Sequence, residues 1–126
     1  MEVLEDLIFS LEGRDASVKS VHTCVFWTAV ESKHCGLSST FRGAGPSHER
    51  GVRDVGGLTQ KTALELSEYA RFNSPLEVSI GMATINSLVE VDESKCVEKN
   101  VFDILVEKGE GKNVAVVGHF PWILKL

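Results

Sequence analysis

Residues 74–89 read Ser74-Pro75-Leu76-Glu77-Val78-Ser79-Ile80-Gly81-Met82-Ala83-Thr84-Ile85-Asn86-Ser87-Leu88-Val89. Ser at the N-cap, Pro at the first helical position and Glu at the third predict a capping box and a helix running to about Val89. Val78, Ile80, Met82, Ala83, Ile85, Leu88 and Val89 spread around most of the circumference. A helix that is apolar nearly all round lies at the centre of its domain. Gly81 and Ala83 would let a neighbouring element come close. Asn86 interrupts the apolar surface on the same side as Met82 and Ser79. A buried amide must find hydrogen-bond partners, and a neighbouring loop or a ligand would each supply them. Glu77 has a structural task in the cap and a second, ligand-directed use open to it.

The segments before this helix supply its neighbours. Thr59 is placed to cap a helix reaching about Phe72, with Ala63, Leu66 and Ala70 facing inward. Residues 43–57 are rich in glycine and charge and read as a long loop, either functional or a plain connector. Residues 18–31, VKSVHTCVFWTAVE, read as one strand. Neither of its two faces is cleanly polar, which predicts cover on both sides for part of its length. Glu31-Ser32-Lys33 makes a turn, and residues 34–42 return as an antiparallel partner. Gly36 weakens that strand or marks a close backbone approach. Residues 2–12 form an amphipathic helix through Leu4, Leu7, Ile8 and Leu11, stopped at Gly13.

After the central helix, Asn100 caps a further helix that ends at Gly109. Residues 112–126, KNVAVVGHFPWILKL, carry an apolar run, Val114 to Val117, followed by Gly118. This reads as the first strand of a doubly wound α/β domain whose later elements are not in the chain.

The bulk properties narrow the function classes. The chain has 126 residues, 43% of them apolar and 25% charged, enough for one domain with a real core. A formal net charge of −5 argues against a general nucleic-acid footprint. The basic cluster of Arg42, Arg50 and Arg53 is broken by Glu49 and Asp54. No run approaches the roughly 18 apolar residues of a membrane span. Three widely spaced cysteines and an acidic N-terminus predict free thiols in a cytoplasmic protein.

Catalytic and metal signatures are sparse. His22, Cys24, His34, Cys35, His48, Cys96 and His119 show no CxxC or HxxxH spacing. His22 and Cys24, two apart on one strand face, could meet at an ion or simply fill the core. His34 and Cys35 should point to opposite faces. There is no GxSxG, no P-loop and no GxGxxG. Whether the chain is an enzyme stays open at this point.

Three segments together resemble a known family. They are Cys35-Gly36-Leu37-Ser38, the helix from Ser74 to Ser87 with its Gly81, Ala83 and Asn86, and Lys112-Asn113-Val114-Ala115-Val116-Val117-Gly118-His119-Phe120-Pro121. The chain is similar to members of the putative heavy-metal chelation family. Such proteins join a domain like the enolase N-terminal domain to a Rossmann-like domain, with a proposed site between the two.

The resemblance implies an α+β fold: a small antiparallel sheet of about three strands with packed helices, plus a C-terminal strand stub. It implies an enolase N-terminal-like domain at 1–111 and the truncated start of a Rossmann-like domain at 112–126. The ligand positions it carries over are Gly36, Glu77, Asn86 and Gly118. Cys35 and His119 become soft donors for a heavy or transition metal ion. The implied function is a contribution to an interdomain metal or small-ligand site, completed by the missing Rossmann-like domain.

Two further readings come from other classes. One is a non-catalytic oligomerisation or interaction module, a homodimer for instance, because nine of the last thirteen residues are apolar. The other is a fragment of a cofactor-dependent or lyase-like enzyme.

Overall fold

The computed structural model describes residues 2–41, 51–118 and 120–121. The fold is α+β, and the chain divides into two compact units, Met1–Glu90 and Val91–Leu126. The helix that the sequence places with the first domain, over 100–108, falls in the second unit.

The first unit begins with α1, Glu2–Phe9. Three strands follow: β1, Ser20–Thr23; β2, Trp27–Glu31; β3, Cys35–Ser39. They form one antiparallel sheet in the order β1-β2-β3. The expected single strand over 18–31 is therefore a hairpin. The Cys24 N–H donates to the Trp27 carbonyl at 2.9 Å, closing a two-residue loop of Val25 and Phe26. Neither residue has turn chemistry, and Asn, Asp or Gly is the usual signal for so tight a loop. An apolar pair inside an apolar run leaves nothing to read. The second turn is where the sequence puts it, with the Ser32 N–H donating to the His34 carbonyl at 2.9 Å.

Next come a 3-10 turn at Leu58–Gln60, α2 at Ala63–Ser67 and a second 3-10 turn at Glu68–Arg71. One helix was expected here, capped by Thr59. The cap is Thr62 instead. Its Oγ1 accepts from the Glu65 N–H at 3.2 Å, and Glu65 Oε2 accepts from the Thr62 N–H at 2.8 Å. Ala63, Leu66 and Ala70 are buried, as their spacing predicts.

The central helix α3 spans Pro75–Leu88. It lies against β2, β3, α2 and the turn at 68–71. Its surface is buried on nearly every side, including Ile80, Ala83, Ile85 and Leu88. The buried hydroxyls survive by bonding to the helix itself. Ser79 donates to the Pro75 carbonyl at 2.9 Å, Thr84 to Ile80 at 2.8 Å and Ser87 to Thr84 at 2.6 Å. Each desolvated polar group thus keeps a partner.

Two glycines set how closely α3 packs. A Cβ on Gly36 would come within 2.8 Å of the Asn86 carbonyl carbon, and closer still to the Ala83 oxygen and Ser87 nitrogen. A Cβ on Gly81 would come within 2.7 Å of the Tyr69 carbonyl carbon, and closer to the Ala70 nitrogen. Backbone meets backbone at both crossings, so only glycine fits.

The second unit contains a 3-10 turn at Glu93–Lys95 and α4, Val101–Gly109. Asn100 caps α4 by accepting from the Phe102 N–H at 2.9 Å. No residue of α4 is buried. The expected C-terminal strand stub is not formed, since residues 113–117 belong to no ladder. A strand needs a neighbour to take its backbone hydrogen bonds, and these residues have no strand partner among the described ones. Val117 is 96% exposed.

Candidate functional site

The positions singled out by the sequence fall in three places. Gly36 and Asn86 meet where β3 crosses α3. Glu77 lies nine residues before Asn86, about 13 Å away along the helix. Gly118, with φ +117, belongs to the second unit. Cys35 is exposed beside Gly36, and since successive strand residues alternate, its side chain belongs to the opposite face. His119 lies outside the described residues, as do Arg42, His48 and Arg50.

Asn86 is exposed, and its Nδ2 donates to the Leu37 carbonyl at 2.7 Å. The strand pairing explains this bond. The Thr40 N–H donates to the Phe26 carbonyl, so Ser38 and Gly36 share its orientation toward β2. Cys35, Leu37 and Ser39 then aim their backbone groups at the open edge. Two turns earlier on α3, Ser79 Oγ accepts from the Phe41 N–H at 2.8 Å. The His34 N–H donates to the Ser87 carbonyl at 3.0 Å. The helix thus supplies partners along the free edge of β3, a common safeguard for an edge strand. Of the two uses open to Asn86, the structure displays bonding to a neighbouring main chain.

Glu77 is 2% exposed, and the expected capping box around it is not made. Ser74 turns away and donates its hydroxyl to the Gly51 carbonyl at 2.9 Å. Glu77 Oε1 accepts from the Arg53 N–H at 2.8 Å and lies 3.5 Å from Arg53 Nε. The guanidinium of Arg53 stacks on Phe72, 3.9 Å from the ring centroid. The capping signature is local and carries no information about a loop more than twenty residues upstream. That loop competes for both side chains and wins.

The same loop is gripped a second time. Asp54, in the left-handed region at φ 54, accepts from the Tyr69 hydroxyl at 3.2 Å and from Lys61 Nζ at 2.9 Å. The bond from Lys61, and then that from Tyr69, holds the Asp54 carboxyl below its ordinary range. Lys61 is pushed up by its bond to Asp54. The Tyr69 phenol is pushed up first by burial and then by its bond to Asp54. In the sequence Arg53 and Asp54 stand only as charges of a glycine-rich loop, and nothing in the spacing of Lys61 and Tyr69 links these two to them.

The family model described as "Putative heavy-metal chelation" matches residues 4–89. The chain belongs to the putative heavy-metal chelation family. No curated protein and no solved structure matches the chain. The matched span includes both close crossings of α3, the edge cover by Asn86 and the grip of Glu77 on Arg53.

A family named for chelation invites a test of the donors. Among the described residues, no three of His, Cys, Asp and Glu converge closely enough to hold an ion. One soft donor, Cys35, stands directly opposite Glu31 in the β2–β3 register. Such cross-strand neighbours have Cβ atoms about 5 Å apart. Glu31 is already 3.6 Å from Lys19 Nζ. His34 is turned to Glu90, at 3.4 Å, and Lys33 pairs with the same carboxylate. Lys33 first, then His34, holds the Glu90 carboxyl below its ordinary range. Two donors fall short of the four a closed zinc-type site takes, so the described residues do not make a complete metal centre. No helix among them is long and apolar enough to cross a membrane.

Proposed function

We propose that this member of the putative heavy-metal chelation family contributes one wall of a metal or small-ligand site, which a further domain completes. The observation that carries the reading is the exposed Cys35 thiol, opposite Glu31 on a strand fastened from behind by α3. Donors on a rigid strand hold their geometry better than donors on a loop. Soft ions favour thiolate, so Cys35 is the leading donor, with His119 as the second. Asn86 supports the wall by donating to the Leu37 carbonyl at the open edge of the strand.

The test is a Cd2+ titration of the reduced full chain, read through the ultraviolet thiolate-to-metal charge-transfer band and by calorimetry. The reading expects weak uptake and a band that survives in Cys24→Ser and Cys96→Ser. It expects Cys35→Ser to lose the band and His119→Ala to weaken the affinity. Unchanged affinity in both of the last two variants would remove these donors and the reading with them.

A further inference from the structure

His22 and Cys24 stand two residues apart, and the sequence leaves them two uses, an ion or the core. The structure removes the core. Val21 packs inward, so strand alternation turns His22 outward, and Cys24 with it. Both are exposed. Free cysteine is among the most buried residue types, so a thiol left in water beside an imidazole is not ordinary packing. His34 is taken up by Glu90. The side chains of His22 and Cys24 have no hydrogen-bond or ion-pair partner among the described residues.

We propose that His22 and Cys24 are the two donors of a site for a soft monovalent cation, Cu+ or Ag+, with the Trp27 indole against its flank. The register carries this. The Cys24 N–H donates to the Trp27 carbonyl at 2.9 Å, so these two residues face each other across the hairpin, and His22 faces Ala29. An imidazole, a thiol and an indole thus share one corner of the sheet, and the small Ala29 leaves the space beside them open. Two residues on one strand face lie about 7 Å apart at Cα. A thiolate and an imidazole nitrogen reaching toward each other close that gap to the span of one ion between two donors. Trp27 is 59% exposed. Directly opposed residues have Cβ atoms about 5 Å apart, so the indole face is within reach of a cation held by Cys24.

The donor count selects the ion. A zinc-type site takes four donors, whereas Cu+ and Ag+ are satisfied by two in line, and thiolate is the donor that selects such ions. The thiol proton leaves to solvent as the metal–sulfur bond forms, and no electron is transferred. The net charge of −5 favours a cation over an anion. Cys35 stands at the opposite corner of the same face, two strands across and about 16 Å from Cys24. The two thiols therefore cannot share an ion, and an ion at Cys24 leaves Cys35 and Glu31 open. Cd2+, which gathers more donors, is the probe for the Cys35 wall. Ag+ is the probe here, so either proposal can fail without the other.

The test uses the full chain carrying Cys35→Ser, Cys96→Ser and Trp122→Phe, which leaves Cys24 as the only thiol and Trp27 as the only tryptophan. Ag+ is titrated in chloride-free buffer against a competing small thiol, and read by Trp27 fluorescence and by the imidazole resonances in 1H–15N spectra. The proposal expects one equivalent of Ag+, quenched fluorescence and a shifted His22 resonance, with His34, His48 and His119 unmoved. His22→Ala should weaken binding by at least the roughly 10-fold that even an outer partner of a metal costs. Cys24→Ser should abolish uptake. Both side chains are exposed, so both variants should keep the far-ultraviolet circular dichroism of the parent. If either does not, the His22 resonance of the parent decides. An unmoved His22 resonance, or an affinity indifferent to His22→Ala, makes Cys24 a lone thiol and overturns the proposal, as does quenching that survives Cys24→Ser.

Discussion

Glu77 shows how one residue can be correctly singled out for a role that the fold then changes. A carboxylate at the third helical position suggests a cap, but here it is buried and holds the Arg53 main chain. Replacing it with Ala leaves that N–H and the guanidinium without their acceptor. Glu77→Ala should therefore cost roughly 1–3 kcal/mol in urea unfolding. A loss below a few tenths would mean the contact is not maintained in solution. The neighbouring Tyr69 is the only tyrosine in the chain, so its ionisation can be followed alone by ultraviolet absorbance. Burial and the bond to Asp54 should place its midpoint above the ordinary 10.0, and Asp54→Asn should bring it back toward that value. A midpoint at or below 10.0 would contradict the cluster. The signs also fix its pH range. Asp54, with a lowered pKa, supports the fold above the ordinary 3.8, and this support is lost as pH falls through its native value. Lys61 and Tyr69, both raised, support it below 10.5 and 10.0, and that support is lost as pH climbs through their native values. The plateau lies between these limits.

At the scale of elements, α3 was legible and its neighbours were only partly so. Its length, its near-complete burial and the close approach at Gly81 follow from residue types at helical spacing. The close approach at Gly36 follows from a glycine inside a strand. What could not be read was which backbone lies against each glycine, because that depends on contacts far apart in the chain. Gly36→Ala and Gly81→Ala should each cost about 3 kcal/mol or prevent folding, because backbone rather than a flexible side chain occupies the Cβ position. A variant of normal stability would show that α3 stands further off. The Val25-Phe26 hairpin was illegible for a different reason: it lacks the residues that normally mark a two-residue loop. The cap of α2 was misplaced by three residues, since both Thr59 and Thr62 can cap and only Thr62 has Glu65 three positions on. Thr62→Ala should cost about 1 kcal/mol, readable in the same unfolding experiment.

At the scale of the molecule, the two units are unequal in what holds them. Every buried hydrophobic residue of the core belongs to the first unit, and α4 in the second buries none among the described residues. Native-state hydrogen exchange should therefore find the α3 amides protected near the limit of global unfolding, and those of α4 exchanging far sooner. Equal protection would contradict that division. Of the candidate site the structure displays only the packing of Gly36 and the main-chain bond of Asn86, because a motif written in Gly, Ala and Asn serves packing as readily as ligand contact. In the proposed function, Asn86 and its neighbours on α3 hold up a wall whose donor is Cys35. The most direct test pairs Cd2+ titration with thermal unfolding for Asn86→Ala and Cys35→Ser. The expected result is that Asn86→Ala binds as the parent chain does while losing roughly 0.5–1.5 kcal/mol of stability, and that Cys35→Ser keeps its stability and loses the ion. An Asn86→Ala chain that is fully stable yet no longer takes up Cd2+ would contradict it.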